Sequence, residues 1–461
     1  MKVNNPVFVL LFTALLATAC SEAPTLTAFV SSTQEAYWKV QPLPPSAKAG
    51  EMADVVIRSG DTLQTIEGFG ACFNELGWTS LNMLEEETRR EILRELFVPG
   101  LGANFTICRM PIGANDFALD WYSYNETEGD FAMKDFSIDN DRKTLIPFIR
   151  SALEYRPDLR VWASPWSPPS WMKHNKHYSA RQGKEGTDMF ILEEDYLKAY
   201  ALYFTRFIEA YRAEGIRIFA VMPQNEFNSA QIFPSCCWTA AGLADFVGNY
   251  LGPALTEIDV EVMFGTMERP NERLVDTLLT HPAAGKYIRG VGFQWAGKEA
   301  IEGIHARYPH LRLYQTEQEC GNGENTWEGA MYAWELMKHY FSKGASAYLY
   351  WNISLEKGGV SRWGWAQNSL VVVDRDRTFA YTPEYYVLKH LSRYVLPGAR
   401  RLQTQGDYDD LLAFANPDGS IVVAIGNQED SERSVCIQVD NASFTPLLPA
   451  HSIHTLLIQK P

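Results

Sequence analysis

Two glutamates stand at the ends of two apolar runs. Ile218-Phe219-Ala220-Val221-Met222 runs into Pro223-Gln224-Asn225-Glu226. Leu311-Arg312-Leu313-Tyr314-Gln315-Thr316 ends on Glu317, ahead of the polar, Gly-rich Gln318-Glu319-Cys320-Gly321-Asn322-Gly323. Apolar runs this short, stopped by polar residues, read as buried strands. In sheets of parallel strands the ligand lies beyond the carboxyl ends, so acids there are placed for chemistry. Two carboxyls facing one ligand suit glycoside hydrolysis. One, protonated, releases the leaving oxygen; the other, ionised, meets the positive charge developing on the sugar. Either stretch alone reads equally as a strand entering an ordinary loop, and it is the repetition that argues for a shared site. Glu319 competes with Glu317, because it would share its face if the strand ran two residues further.

The elements that must position such a pair follow a repeating order of strand, loop and helix from Glu67 to His390. Candidate strands are Ile66–Phe73, Asn104–Met110, Arg160–Ala163, Ile218–Met222, Val260–Gly265, Gly290–Trp295, Leu311–Thr316 and Ala345–Trp351. Amphipathic segments lie between them, among them Leu84–Phe97, Asp195–Arg212 and Thr326–Phe341. This predicts an α/β fold, a (β/α)8 TIM barrel with Glu226 after strand four and Glu317 after strand seven. An open doubly wound sheet is disfavoured, since no strand-to-helix turn carries G-x-G-x-x-G. Both chain ends are rich in short antiparallel-type strands. Val55-Val56-Ile57 precedes an expected turn at Ser59-Gly60-Asp61, and Leu411–Ala415 and Ile421–Ile425 flank Asn416-Pro417-Asp418-Gly419. They predict one side β-sandwich built from 51–66 and 394–461 beside a barrel over 67–393.

Residues 1–20 read as a leader. Lys2, the apolar Val7–Leu16 and Ala17-Thr18-Ala19-Cys20 form an export signal whose end resembles a lipobox, with Cys20 as the lipidated residue. Residues 21–50, beginning with a stretch rich in Ser, Thr and Ala, are then expected to be a tether. The resulting picture is a protein exported from a bacterial cell, held at the outer membrane or cell surface by lipid on Cys20, or else periplasmic or secreted. The net charge of -15 argues against nucleic acid as a partner. The 13 tryptophans fall often at strand ends, where an indole face can cover the C–H face of a sugar as readily as it packs a core. Apart from Cys20, the cysteines match no zinc spacing, and whether Cys236 and Cys237 pair is open.

Four ordered motifs carry a family resemblance. Ile66-Glu67-Gly68-Phe69-Gly70, Arg109-Met110-Pro111-Ile112-Gly113-Ala114-Asn115-Asp116-Phe117, Ala163-Ser164-Pro165-Trp166-Ser167-Pro168-Pro169-Ser170-Trp171-Met172-Lys173 and Gln224-Asn225-Glu226 are similar to glycoside hydrolase family 30, over nearly everything after residue 50. That family includes glucosylceramidases and endo-β-1,6-glucanases. The resemblance implies Glu226 as general acid/base and Glu317 as nucleophile, an order the residues alone do not give. It implies Asn225 as the partner of the sugar 2-hydroxyl, Asp116 and Trp166 in the glycone pocket, and Trp351 as its stacking floor. Arg109 is expected to keep Glu317 ionised. Where related barrels carry a Tyr after strand six, this chain has Phe293-Gln294-Trp295-Ala296-Gly297-Lys298, with Ala296 at that place. This stretch and Arg362-Trp363-Gly364-Trp365-Ala366-Gln367 resemble the β-1,6-glucanase branch, with Trp295 and Trp365 expected at the substrate and Trp363 beside Trp365 at the rim. The expectation is therefore a retaining β-glycosidase acting on a polysaccharide or oligosaccharide without a cofactor. An exo-acting β-glucosidase or glucosylceramidase-like enzyme is the alternative, and a non-catalytic carbohydrate-binding lipoprotein the reading from another class.

Overall fold

The computed structural model describes Met1 and residues 23–48, 50–181 and 183–460. Eight parallel strands close into a barrel: β1 (Gly68–Cys72), β2 (Ile107–Ile112), β3 (Arg160–Pro165), β4 (Ile218–Val221), β5 (Glu261–Met267), β6 (Ile288–Gln294), β7 (Arg312–Glu317) and β8 (Ala347–Asn352). Hydrogen bonding follows chain order round the ring, and β8 returns to β1. Side chains alternate along the strands. Ile107, Trp162, Ala220, Met222, Met263, Tyr314, Ala347 and Leu349 form one apolar cluster. Their neighbours Cys108, Val161, Ala163, Val221, Val262 and Tyr348 belong to a second, larger cluster shared with the helices. The β1–β2 seam needs glycine, because a Cβ on Gly70 would lie 1.6 Å from the Ile107 carbonyl oxygen.

Nine further strands hydrogen-bond in one order, from Lys39–Val40 through Thr25–Ser32, Ser452–Gln459, Ile421–Asn427, Leu411–Ala415, Arg400–Gly406, Val55–Thr65 and Ile437–Val439 to Ala442–Phe444. Alternation again explains the arrangement. Leu411, Ala413, Ile421, Val423 and Ile425 join Leu26, Phe29, Val55 and Ile57 in the sandwich's own core. Their neighbours Leu412, Phe414, Val422 and Ala424 turn to the barrel, where Phe414 meets the edge of Phe341 at 5.7 Å.

Two expectations about the N-terminal part are corrected. Thr25–Ser32, read as tether, is a strand paired antiparallel with Ser452–Gln459, and buried His390 lies within 2.9 Å of both Ser32 Oγ and Thr455 Oγ1. Its Ser and Thr content hid the buried Leu26, Phe29 and Val30. Nor does the chain turn at Ser59-Gly60-Asp61. Val55–Thr65 is one strand, with Ser59 N and Oγ both donating to Asp440 at 2.9 and 2.7 Å. The expected leader and Cys20 fall on 2–22, outside the described residues. Cys72, Cys108, Cys236, Cys237, Cys320 and Cys436 are all buried free thiols. Among the described residues no helix is long and apolar enough to cross a membrane.

Deleting Tyr394–Pro461 removes the C-terminal strands that pair with Thr25–Ser32 and Val55–Thr65 and bares the barrel face around Phe341. The expected result is insoluble protein, read as the soluble fraction after expression. A soluble and fully active truncation would refute the shared sandwich.

Candidate active site

Asp116, Trp166, Asn225, Glu226, Trp295, Glu317 and Trp365 line one cleft at the carboxyl end of the barrel. A cavity of about 120 Å3 is lined by Asp116, Trp166, Asn225, Glu226, Gln231, Phe233, Glu268, Trp295, Glu317, Trp365 and Gln367. Glu317 is the last residue of β7, so the strand stops where the alternation presents its carboxylate. Glu226 follows β4 in a left-handed backbone conformation at φ 45°, its N–H donating to Thr266 Oγ1 of β5 at 2.9 Å. Thr266 Oγ1 in turn donates to Asn225 Oδ1 at 3.0 Å, which ties the Asn-Glu pair to β5.

Arg109, fully buried on β2, is the cation of the site. Its Nη1 donates to Glu317 Oε2 at 2.9 Å, and its Nη2 to Asn225 Oδ1 at 2.6 Å and Ser164 Oγ at 2.9 Å. The guanidinium lies 4.3, 5.0 and 5.5 Å from the ring centres of Trp166, Trp162 and Trp351, so indole faces stabilise a charge that water cannot reach. Trp166 and Trp351 stack at 5.3 Å. Trp351 thus lies behind Trp166, fully buried, and together with Arg109 backs the cleft without lining it. Asn225 Oδ1 accepts from Arg109, Thr266 and Gln294, which leaves its amide N–H groups for a ligand.

Four carboxyls share this space; Glu268 is paired with Arg269, which leaves Asp116, Glu226 and Glu317 around the single Arg109 guanidinium. Burial, and then the Glu317 charge, push Glu226 well above the ordinary carboxylate range. Burial raises Glu317 too, but Arg109, Trp295 and Gln294 oppose it through charge and hydrogen bonds. A single proton shared by this pair therefore belongs on Glu226. Asp116 is also pushed well up, by burial first and Glu317 second, and its Oδ1 is buried without a hydrogen-bond partner. Such an acceptor fits a ligand hydroxyl.

Glu319 is not in the cleft. The chain leaves the strand at Gln318, and Glu319 accepts instead from Lys298 Nζ at 2.7 Å and Tyr332 OH at 2.8 Å. Trp365 reaches the rim, 43% exposed and edge-on to Phe233 at 6.3 Å, whereas Trp363 packs against Trp121 at 4.9 Å and does not line the cleft. Ala296 is exposed in the turn after β6. Trp295, with φ 49°, lays its indole so that Nε1 is 3.4 Å from Glu317 Oε1. The sequence reading missed Gln294, Thr266, Glu268, Gln231, Phe233 and Gln367. Gln294 ends an apolar strand beside a predicted site tryptophan, but nothing in its type marks its role.

The loops that hold this floor are themselves pinned by Lys173 of the Trp-Met-Lys motif. Its Nζ, fully buried, donates to the Tyr178, Ser179 and Ser235 carbonyls and to Ser167 Oγ, and burial brings it down to about 8. This joins the loop after β3 to the loop after β4 that carries Gln231 and Phe233.

Comparison with known proteins gives a consistent result. Residues 66–395 match the Glycosyl hydrolase family 30 TIM-barrel domain, and residues 398–456 the Glycosyl hydrolase family 30 beta sandwich domain. Putative glucosylceramidase 1 of Caenorhabditis elegans is 29% identical over 443 residues, covering 88% of this chain and 83% of that protein. Endo-1,6-beta-D-glucanase neg1 of Aspergillus fumigatus is 26% identical over 427 residues, covering 86% and 85%. The solved endo-beta1,6-glucanase BT3312 superposes with a TM-score of 0.82 at 24% identity, covering 94% of this chain and 99% of that one.

Proposed function

We propose, from the premise that this chain belongs to glycosyl hydrolase family 30, that it is a retaining β-glycosidase cleaving β-1,6-linked glucan. Glu317 is the nucleophile in this reading and Glu226 the acid/base. One observation carries the mechanism: a single amide nitrogen, Gln294 Nε2, lies 2.9 Å from Glu226 Oε1 and 3.2 Å from Glu317 Oε2. Two oxygens that share one amide belong to closely set carboxyls, and this supports the roughly 5–5.5 Å spacing of a retaining pair.

In the first half of the reaction Glu317 attacks the anomeric carbon while Glu226 gives its proton to the departing glycosidic oxygen. In the second, Glu226 takes a proton from water, which displaces Glu317. Arg109 holds the nucleophile ionised, and Asn225 offers its amide to the 2-hydroxyl. The choice of linkage is supported by the rim. A 1,6 link adds a rotatable bond, so the chain can turn sharply, and Trp365 and Phe233, packed edge to face at 6.3 Å, both line the cleft and offer aromatic surface to such a bend.

The test is a product profile on linear β-1,6-, β-1,3- and β-1,4-glucans, with the anomer of the first product read by NMR. Rapid cleavage of the β-1,6-glucan to β-anomeric product is expected, with little action on the others; faster cleavage of a β-1,4-glucan overturns the linkage. Trp365→Ala should lower kcat/KM on the polymer about tenfold and on an aryl β-glucoside far less, because remote binding energy is lost while the acid pair stays intact. Equal losses on both substrates count against the rim role. The glucosylceramidase likeness favours a second reading, exo-action on a glucosylated lipid, so glucosylceramide belongs on the same panel.

A further inference from the structure

We propose that Gln294 is the positioning residue that sets which oxygen does what in this site, placing the acid proton on Glu226 Oε2 and leaving Glu317 Oε1 as the attacking atom. The proposal rests on the two-glutamate reading above. Its first support is that the Gln294 amide can face only one way. Its Oε1 faces Arg109 Nη1, a group with donors only, at 3.4 Å, and this fixes the orientation; Thr316 Oγ1, 2.9 Å away, is also 3.1 Å from the Phe293 carbonyl and fits either face of the amide. The NH2 group therefore faces the acceptors Glu226 Oε1, Glu317 Oε2 and Asn225 Oδ1, at 2.9, 3.2 and 3.3 Å.

An NH2 group only donates and has two hydrogens, and the two shortest contacts, to Glu226 Oε1 and Glu317 Oε2, take them, with Asn225 Oδ1 at 3.3 Å a shared third. On Glu226 that makes Oε1 the carbonyl-like oxygen, and the proton sits on Oε2. On Glu317, Oε2 takes two donors, from Arg109 at 2.9 Å and from Gln294, whereas Oε1 has only the longer Trp295 contact at 3.4 Å. The less encumbered oxygen keeps its lone pair for the anomeric carbon. The bookkeeping of electrons closes. Oε1 of Glu317 forms the new C–O bond, and the glycosidic C–O pair leaves on the departing oxygen, which takes the Oε2 proton of Glu226. Water then gives one of its own protons to Oε2 as its oxygen replaces Glu317. Because the Gln294 side chain does not titrate, it holds both acids through the whole cycle, at the strand end before the Ala296 that occupies the expected Tyr position.

The contact has a pH signature. A donor to a carboxylate favours the ionised form, so its removal raises the pKa of both glutamates. The other groups that act on them are Asp116 for both, Glu268 for Glu226, and Arg109 and Trp295 for Glu317, whose own charge acts in turn on the thiols Cys72 and Cys320. Gln294→Met replaces none of these groups, though it also removes the Oε1 that faces Arg109 and Thr316. In kcat/KM for an aryl β-glucoside, that variant should lose about 10²-fold at the optimum, the cost of a site donor. Both limbs of its pH profile should move to higher pH: the acidic limb because Glu317 must be ionised, the alkaline limb because Glu226 must be protonated. Gln294→Glu, the same shape with an acid replacing the donor, should move both limbs further the same way. A loss of rate with the limbs unmoved, or with only one moved, overturns the proposal. A second arm needs no turnover. In Glu317→Gln protein carrying 13C-labelled glutamate, adding Gln294→Met should raise the Glu226 carboxyl titration by NMR, and no rise overturns the proposal. A wild-type enzyme inactive on every β-glycoside would defeat the functional reading and leave this arm standing.

Discussion

Glu317→Gly loses hydrolysis of an aryl β-glucoside by about 10⁴-fold or more and regains part of it in azide, giving an α-glycosyl azide. Glu226→Ala on an activated substrate is rescued to the β-glycosyl azide. These results follow from position and charge. In the proposed roles Glu317, fastened to Arg109 at 2.9 Å, is the ionised nucleophile, so removing it deletes the group that forms the covalent intermediate. Azide occupies the vacated side and delivers inversion once. Glu226 holds the proton through burial and the nearby Glu317 charge, so its loss stalls the breakdown of the intermediate, which azide attacks from the opposite side. Single removals from a catalytic unit cost nearly as much as removing it whole, which sets the size of the effect. Glu319→Gly is the control. Its carboxylate is occupied by Lys298 and Tyr332, so activity should persist. An α-azide from Glu319→Gly, with Glu317→Gly still active, would reverse the assignment.

How much of this is legible in the sequence depends on whether a residue acts through its type or through its place. The barrel strands are short apolar runs ended by polar residues, and that pattern survives without neighbours, so β4 and β7 and the glutamates after them can be read directly. Arg109 is legible because a strand-end cation among apolar residues has few structural uses. Thr25–Ser32 is not, because its partner Ser452–Gln459 lies at the other end of the chain and its outward residues look like linker. The Ser59-Gly60-Asp61 stretch has turn composition, yet Asp440 holds it extended from a distant strand. Gln294 is the clearest limit. A neutral amide has no chemistry of its own, and its importance arises only when the barrel brings β4, β6 and β7 together around it. Trp363 and Trp365 sit two apart with the same composition, and only packing on Trp121 separates the structural one from the one at the cleft.

Arg109→Met should be the most damaging change outside the two glutamates, in activity and in stability, and pH separates the two effects. Arg109 is fully buried and the Glu317 side chain is 5% exposed, so the substitution strands a carboxylate in an apolar surround. Breaking such a pair costs about 3–5 kcal/mol. It also frees Asn225 Oδ1 and Ser164 Oγ from their shared donor, so the Asn-Glu pair loses a support. The sign for stability follows from linkage. Burial already raises Glu317 in the folded protein, and Arg109 opposes that rise, so the variant's carboxyl holds its proton to higher pH still. Between the unfolded and folded pKa the folded state binds more protons, so the variant's stability falls as pH rises through that window, and the loss grows until Glu317 ionises. Activity runs the other way. The nucleophile must be ionised, so the acidic limb of kcat/KM moves upward and the deficit, about 10³-fold near pH 6 by comparison with the loss of a buried charge-stabilising donor, narrows toward alkaline pH until Glu226 gives up its proton. Arg109→Lys should recover only part of either property, because one ammonium cannot span Glu317, Asn225 and Ser164 as the guanidinium fork does. Thermal unfolding and pH profiles of the same preparations test both signs together. A variant whose acidic limb stays in place, or whose stability rises with pH across the window, would show that Arg109 does not govern the charge on Glu317.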